Sequence, residues 1–364
     1  MGARVRGRAV GTVVEILEER DDASVVAVET DGILRRAWSF ERLSGHLEVG
    51  DRVLINTSAV ELGLGTGGLD FVVANLRTRR EDEERRGHIM KLRYTPMQTP
   101  VLAVEEPDSP WHQTLREARS LKGTPVIVLG LHSQLTAVCA TAKAIEPKMR
   151  IVYVMTDGAA LPITVSTTVG ELVAKGLLEA TITGGNSFGG DYEAVNVYSA
   201  LLAAKLVAGA DLIVAGIGPG VVGTSTHLGH TGIDQGTSVN AALALDGLTI
   251  AVPRIAFGDV RQRHQGVSHH TLAALGLVAM GKCTVTLAAI RGERGEVVAR
   301  QLQESGIFSK HHVVTMENDV TLRALEEAKL RPTTMGRTVE QEPEFFMTAG
   351  VAPIWALLEK GRGA

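Results

Sequence analysis

Over the first 76 residues apolar and polar positions alternate in short runs. Segments 10–16, 24–30, 34–40 and 52–57 are rich in β-branched side chains and separated by Asp-Asp, Asp-Gly and Gly-Asp turn signals. A fifth run, 70–76, follows a glycine-rich stretch at 63–68. No helical period interrupts them. The pattern predicts an all-β domain over 1–76, closed as a small barrel of five or six strands. Residues 77–86 carry nine charges in ten positions and read as a solvated linker. Four prolines make 87–110 an extended segment, so that 77–110 joins the barrel to whatever follows.

The pattern then changes. Between 111 and 364, runs that are apolar throughout, at 125–131, 150–155, 180–183, 211–215, 249–252, 282–289 and 312–316, alternate with stretches of helical spacing. Helices are expected over 135–145, 168–178, 193–207, 298–304 and 322–328. Thr168-Val-Gly-Glu171 would open the second as a capping box, and Asp191 would cap the third. Strands without a polar face need cover on both sides. The fold class this implies is α/β, with a doubly wound, mostly parallel sheet behind the small N-terminal all-β barrel.

Ligands in such sheets collect outside the carboxyl ends of the strands, and there the chain places its chemistry. His132 follows the first run, Asp157 the second, Gly184-Gly-Asn-Ser-Phe-Gly-Gly-Asp191 the third and Gly216-Ile-Gly-Pro-Gly220 the fourth. Two glycine turns can aim backbone N–H groups at an anion. In the first, Gly184, Gly185, Asn186 and Ser187 are candidate ligand-binding residues; in the second, Gly218, Gly220, Gly223 and Thr224. The match of Gly218-Pro-Gly220-Val-Val-Gly223 to a dinucleotide fingerprint is weak, because Pro219 disturbs it and no helix follows. The bland reading, turn glycines and a capping aspartate, stands beside both.

Six of the 11 histidines fall between 132 and 270: His132, His227, His230, His264, His269 and His270. Imidazole titrates near neutrality, so His264, His269 and His270 are candidate catalytic groups beside Asp157 and Asp191. Neutral imidazole and carboxylate also ligate metals, which makes His132, Asp157, Asp191, His227 and His230 candidate ligands, although no standard metal spacing occurs. Arg261 and Arg263 add fixed positive charge suited to phosphate or carboxylate, and His132 could assist them. No G-x-S-x-G elbow supports a serine hydrolase.

Composition narrows the classes. Thirty-seven basic against 41 acidic residues give a net charge of −4, so no basic excess exists to hold a nucleic-acid backbone. Cys139 and Cys283 make no disulfide framework, and a cytoplasmic protein is expected. The basic start lacks the apolar core of a signal peptide, and no run of about 18 apolar residues spans a membrane. Glycine is the outlier, at 40 residues against a usual ~7% of a chain.

Gly87-His-Ile-Met-Lys91, Arg93-Tyr-Thr-Pro-Met-Gln98, Leu131-His-Ser133, Gly189-Gly-Asp191, Gly218-Pro-Gly-Val-Val-Gly-Thr224, Arg263-His264 and Ser268-His-His270 together resemble an uncharacterised bacterial family, domain of unknown function 3866. The resemblance implies a bacterial origin and one co-linear two-part architecture. It carries no activity and no catalytic residue. The residues themselves favour a hydrolase or group transferase acting on a small anionic, phosphorylated or nucleotide-like ligand, with no cofactor identified. A metabolite-sensing or interaction module and a His/Asp metal-dependent hydrolase are the alternatives. The partner expected is that small anion, with no nucleic acid and no membrane, and with room for a homo-oligomer.

Overall fold

The computed structural model describes residues 7–77 and 87–362, so most of the linker expected at 77–86 lies outside the described residues. Two compact units emerge, Met1–Leu102 and Ala103–Ala364. In the first, β1 (Arg8–Arg20), β2 (Ala23–Thr30), β3 (Ile33–Phe40), β4 (Arg52–Asn56) and β5 (Asp70–Asn75) close a barrel in the order β1-β2-β3-β5-β4. β3 and β5 are its parallel pair. Val13, Val26, Val28, Ala37, Val53, Ile55 and Val72 fill the interior, at the alternate positions a two-residue period predicts. Irregularities at Val13/Glu15 and Ile16/Glu18 bend the long β1, which pairs with β4 at one end and β2 along the rest. The order is that of an OB-type barrel, which fixes a fold and not a ligand. A short antiparallel pair, β6 (Ile89–Lys91) and β7 (Thr99–Val101), completes this unit.

The second unit is an eight-stranded parallel sheet. Its strands are β8 (Pro125–Leu129), β9 (Ile151–Thr156), β10 (Ala180–Thr183), β11 (Tyr192–Glu193), β12 (Leu212–Ile217), β13 (Leu248–Val252), β16 (Thr284–Ala288) and β17 (His312–Met316), in the order β11-β10-β9-β12-β8-β13-β16-β17. Between β13 and β16, β14 (Ile255–Ala256) and β15 (Gly266–Val267) form a small antiparallel pair. Side chains alternate between two cores. Val126 and Val128 face the helices Val197–Leu206, Asp234–Ala244 and Gly292–Glu304; Ile127 and Leu129 face Leu135–Ile145, Val320–Glu327 and Pro343–Arg362. Helices on both faces make the sheet doubly wound, so the α/β class with a preceding barrel is what the structure shows.

Three local expectations are corrected. The helix expected from 193 with Asp191 as its cap begins at Val197, and Asn196 caps it by accepting from the amides of Tyr198 and Ser199. The chain before it instead forms β11, paired with β10. The helix expected at 168–178 spans Thr167–Ala174, and Ser166 rather than Thr168 caps it. The 20-residue helix Pro343–Arg362 has no counterpart among the expected elements; Pro353 inside it masks its period.

Candidate functional site

The carboxyl edge of the sheet carries two polar centres. The first is built by the chain after β12 and after β13. Beyond Val252, Arg254 is clamped: its amide donates to Thr271 Oγ1 (2.9 Å), and its carbonyl accepts from the Ser268 amide (2.9 Å). The β14–β15 pair then returns the chain so that Ser268 starts the helix His269–Ala273. This delivers His264, His269 and His270 to one place. The long turn after β12 supplies the fourth ring: Gly223 bridges to His230, and the Thr224 amide donates to Gly229 O (2.9 Å). A side chain at Gly223 or Gly232 would crowd the rings, since a Cβ would lie 3.2 Å from His270 Nε2 and 3.1 Å from His230 Nδ1 respectively.

The four rings touch. His230 stacks on His270 at 4.0 Å between centroids, His269 lies 4.4 Å from His270, and His264 lies 4.9 Å from His269 and 5.0 Å from His270. Tautomers follow from the partners. His230 Nε2 hydrogen-bonds the His227 carbonyl (3.1 Å), which only accepts, so Nε2 holds the proton and Nδ1 keeps a lone pair. That Nδ1 is buried without a partner, as is His269 Nε2. His264 Nδ1 is engaged with Ser268 Oγ (2.8 Å).

Every ring of the centre favours the neutral form. Burial is the first cause in each case. His270 falls to about 2 with His230, His269 and His264 as neighbours. His264 falls to about 3 beside Arg254 and Arg261, and His269 to about 4 beside His230 and Arg263. His230 is lowered as well. Neutral imidazoles with unshared lone pairs are what a transition metal needs. One ring nitrogen each from His230, His269 and His270 lie within 4.8 Å of one another. Ligands bound at 2.0–2.1 Å in a tetrahedron stand about 3.3 Å apart. An ion would therefore draw the rings together and turn His230 off His270. The carbonyl behind His230 is the kind of outer partner that ligating histidines usually have.

A guanidinium cluster adjoins the rings. Asp259, buried, accepts from Arg254 Nη2 (3.1 Å) and from Arg261 Nε (2.9 Å) and Nη2 (2.8 Å), and Arg261 holds it far below the usual carboxylate range. Arg261 is thus forked onto Asp259, whereas Arg263 is exposed and, among the described residues, bonded to nothing. Burial lowers Arg254 to about 10, still protonated at neutrality. Beside the rings runs a cleft of about 450 Å³ whose lining includes His227, His269, Leu272, Leu277 and Glu304.

The second centre lies at the carboxyl ends of β9 and β10. The turn 184–190 folds inward around carboxylates: the Asn186 amide donates to Asp157 Oδ2 (3.1 Å), Gly189 to Glu193 Oε1 (2.7 Å) and Gly190 to Thr183 Oγ1 (3.2 Å), while Ser187 Oγ donates to Thr156 O (2.9 Å). Gly185 has φ +70°, and a Cβ there would lie 2.3 Å from Asp157 Oδ2. Asp234 faces this group, accepting from Thr156 Oγ1 (2.6 Å); burial, then Asp157, raises its pKa.

The site residues expected from sequence thus separate. His230, His264, His269 and His270 meet, with Gly223 against them. Asp157, Gly185, Asn186 and Ser187 belong to the carboxylate turn. Gly218 packs on Ala160 and Met155, and the carbonyl of Pro219, between Gly218 and Gly220, accepts from Ala160. Asp191 lies back along β10, where its carboxylate accepts from Thr181 N and Oγ1 (both 2.8 Å). His132 is buried between Tyr153 Oη (3.1 Å) and Ser166 Oγ (2.7 Å), so both its nitrogens are occupied. Arg254, Asp234 and Glu304 were not anticipated. Arg254 and Asp234 had a signal: one follows a strand end and the other opens a helix beside the edge. Glu304 had none, as one more charge on an amphipathic helix.

A parallel α/β unit with a histidine-lined edge and a barrel before it defines a class of architecture rather than an activity. Residues 36–353 match the family described as "Protein of unknown function (DUF3866)", and the chain belongs to that family. Comparison with curated proteins finds no match. Among the described residues no helix is long and apolar enough to cross a membrane.

Proposed function

We propose that the chain is a metal-dependent hydrolase whose imidazole centre, His230, His269 and His270, acts on a small anionic, phosphorylated or nucleotide-like ligand held in the adjoining cleft. The observation that carries this reading is the pair of buried, partnerless ring nitrogens, His230 Nδ1 and His269 Nε2, in a cluster of neutral rings. Structural zinc sites are closed by four protein ligands, usually including thiolate; three imidazoles leave a position open. A zinc-class ion held there would supply a water acidic enough to ionise near neutrality and a Lewis acid for the substrate's oxygen.

The chain's own residues do the rest. Among the described residues no carboxylate joins the three rings, so the ligand set is uncharged. Arg254 and Arg263 act on His269, Arg254 and Arg261 on the neighbouring His264, and the surplus positive charge favours an anion at the open position. Arg263, with no partner among the described residues, is the guanidinium available to a ligand; Arg254 and Arg261 act through the field. His264 holds Ser268, which caps the helix carrying His269 and His270, and so positions both rings.

Metal analysis of the purified protein, followed by zinc titration and hydrolysis of a panel of phosphate esters with and without EDTA, tests the reading. One equivalent of metal, with turnover lost to EDTA and restored by zinc, is the expected result. Failure to bind zinc, cobalt or manganese at micromolar concentration would overturn it, and uptake without turnover would leave a ligand-sensing module.

A further inference from the structure

The cleft beside the rings has walls whose polar atoms are nearly all engaged within the protein. Gln301 is locked at both ends: Oε1 accepts from the Val267 amide (2.7 Å), and Nε2 donates to Gln265 O (3.0 Å). Ser305 Oγ donates to Leu302 O (3.1 Å). The π-helical turn Ala274–Val278 supplies Gly276 and Leu277 to the wall, and its carbonyls are held from behind. Lys310 Nζ donates to Gly276 O (3.0 Å), and His311 Nε2 bonds Leu275 O (2.9 Å). Leu272 and Leu277 offer only apolar surface.

Three lining side chains remain for a ligand: His269, His227 and Glu304. His269 belongs to the imidazole centre. Among the described residues Glu304 makes no hydrogen bond or ion pair, so this exposed side chain presents a free carboxylate to the cleft that His269, Leu272 and Leu277 also line. A carboxylate accepts and never donates, and it repels an anion. A wholly anionic ligand gains nothing from this end of the cleft. A ligand with an ammonium group at one end and an anion at the other meets complementary charge at both.

We infer that the substrate is dipolar: a small molecule whose oxyanion end lies at the imidazole centre and whose ammonium end, across a short apolar link, is read by Glu304. This deepens the metal-dependent reading and rests on it. Glu304 is a specificity residue and touches none of the reacting atoms.

Two probes with the same three-carbon chain separate the charges, propylphosphonate and 3-aminopropylphosphonate, titrated calorimetrically into the full chain after zinc loading. Zinc stoichiometry is read first, since absence of zinc uptake would overturn the metal-dependent reading and this inference with it. In wild type the amino probe should bind roughly two- to fivefold more tightly, the worth of an exposed ion pair. Glu304→Gln should abolish that preference while leaving propylphosphonate affinity and zinc uptake unchanged, which shows the variant to be folded. With zinc bound, equal affinity of the two probes, or a preference that survives Glu304→Gln, would overturn the inference and leave the metal centre standing.

Discussion

The turns after β10 and β12 look alike in sequence, each rich in glycine and each following an apolar strand. They do opposite things. The turn at 184–190 points its amides at carboxylates of its own chain, so its donors satisfy Asp157 and Glu193. The turn after β12 keeps its glycines small where rings need room and leaves His230 Nδ1 without a partner. A glycine-rich strand end therefore has two uses. It either accommodates the protein's own charge, as at Gly185 over Asp157, or makes room for ring nitrogens that keep their lone pairs. Only the second leaves bonding capacity for something else.

Substitutions can break the contrast at either turn. The largest effect is expected from His270→Ala, which removes one of the three proposed ligands: zinc affinity should fall by about a hundredfold or more, beyond the 10–100-fold loss typical of an outer partner. Competition with a chromophoric chelator measures it, and circular dichroism verifies the fold. Unaltered zinc affinity would remove His270 from the centre. Gly185→Ala should do the reverse. With φ at +70° and a Cβ 2.3 Å from Asp157 Oδ2, it should lower stability by about 1–3 kcal/mol in denaturant unfolding and leave zinc uptake intact. Gly223→Ala, whose Cβ crowds His270 Nε2, should weaken zinc binding more than it destabilises the protein.

Acid sharpens the comparison, because the two centres respond with opposite sign. His264, His269 and His270 are pushed down to about 3, 4 and 2 by burial, below the unfolded value of about 6.5. The unfolded chain therefore binds more protons below pH 6.5. Stability from the neutral rings is complete above that pH and falls as pH drops from 6.5 toward 4, by about 1.4 kcal/mol per unit for each ring. Urea midpoints of the metal-free protein at pH 7 and pH 5 should show this, and His264→Gln should shallow the slope. Asp234 is raised, so its contribution is present at low pH and lost as pH rises through its folded value. Asp234→Asn should then stabilise the protein at pH 7, with the gain fading near pH 4. A loss at pH 7 would show that the carboxylate is held by more than Thr156 and Ser238.

How far the sequence speaks differs between fold and site. All five barrel strands and seven of the eight parallel strands coincide with runs of β-branched or wholly apolar residues, since burial on one face or two leaves that imprint directly. β11 escapes because two residues carry no period, and Glu193 looks like the first turn of the helix behind it. At the site, the crowding of His264, His269 and His270 was legible because local chain carries all three. His230 joins them only through the fold of the turn after β12. The separation of His132 and Asp191 from the rings was not legible. His132 finds Tyr153 and Ser166 across the sheet face, and Asp191 is carried back beside Thr181 by a turn whose path no spacing reveals. Arg261 illustrates the same limit: a free guanidinium and one forked onto Asp259 read identically in one dimension.

The position of β12 also bears on how this sheet comes into being. β8 and β9, the first two of its strands to leave a ribosome, never pair with each other; each hydrogen-bonds to β12, whose residues follow β9 by more than 50 positions. Until Leu212–Ile217 emerges, two wholly apolar strands have open inner edges. Closing the sheet then means threading one strand between two others, a non-local event of the kind that slows folding and exposes intermediates to aggregation. The centre of the sheet, beneath both polar centres, is thus the last part of β8–β12 to form, and a chain interrupted before Ile217 should be retained by chaperones rather than released as a folded fragment.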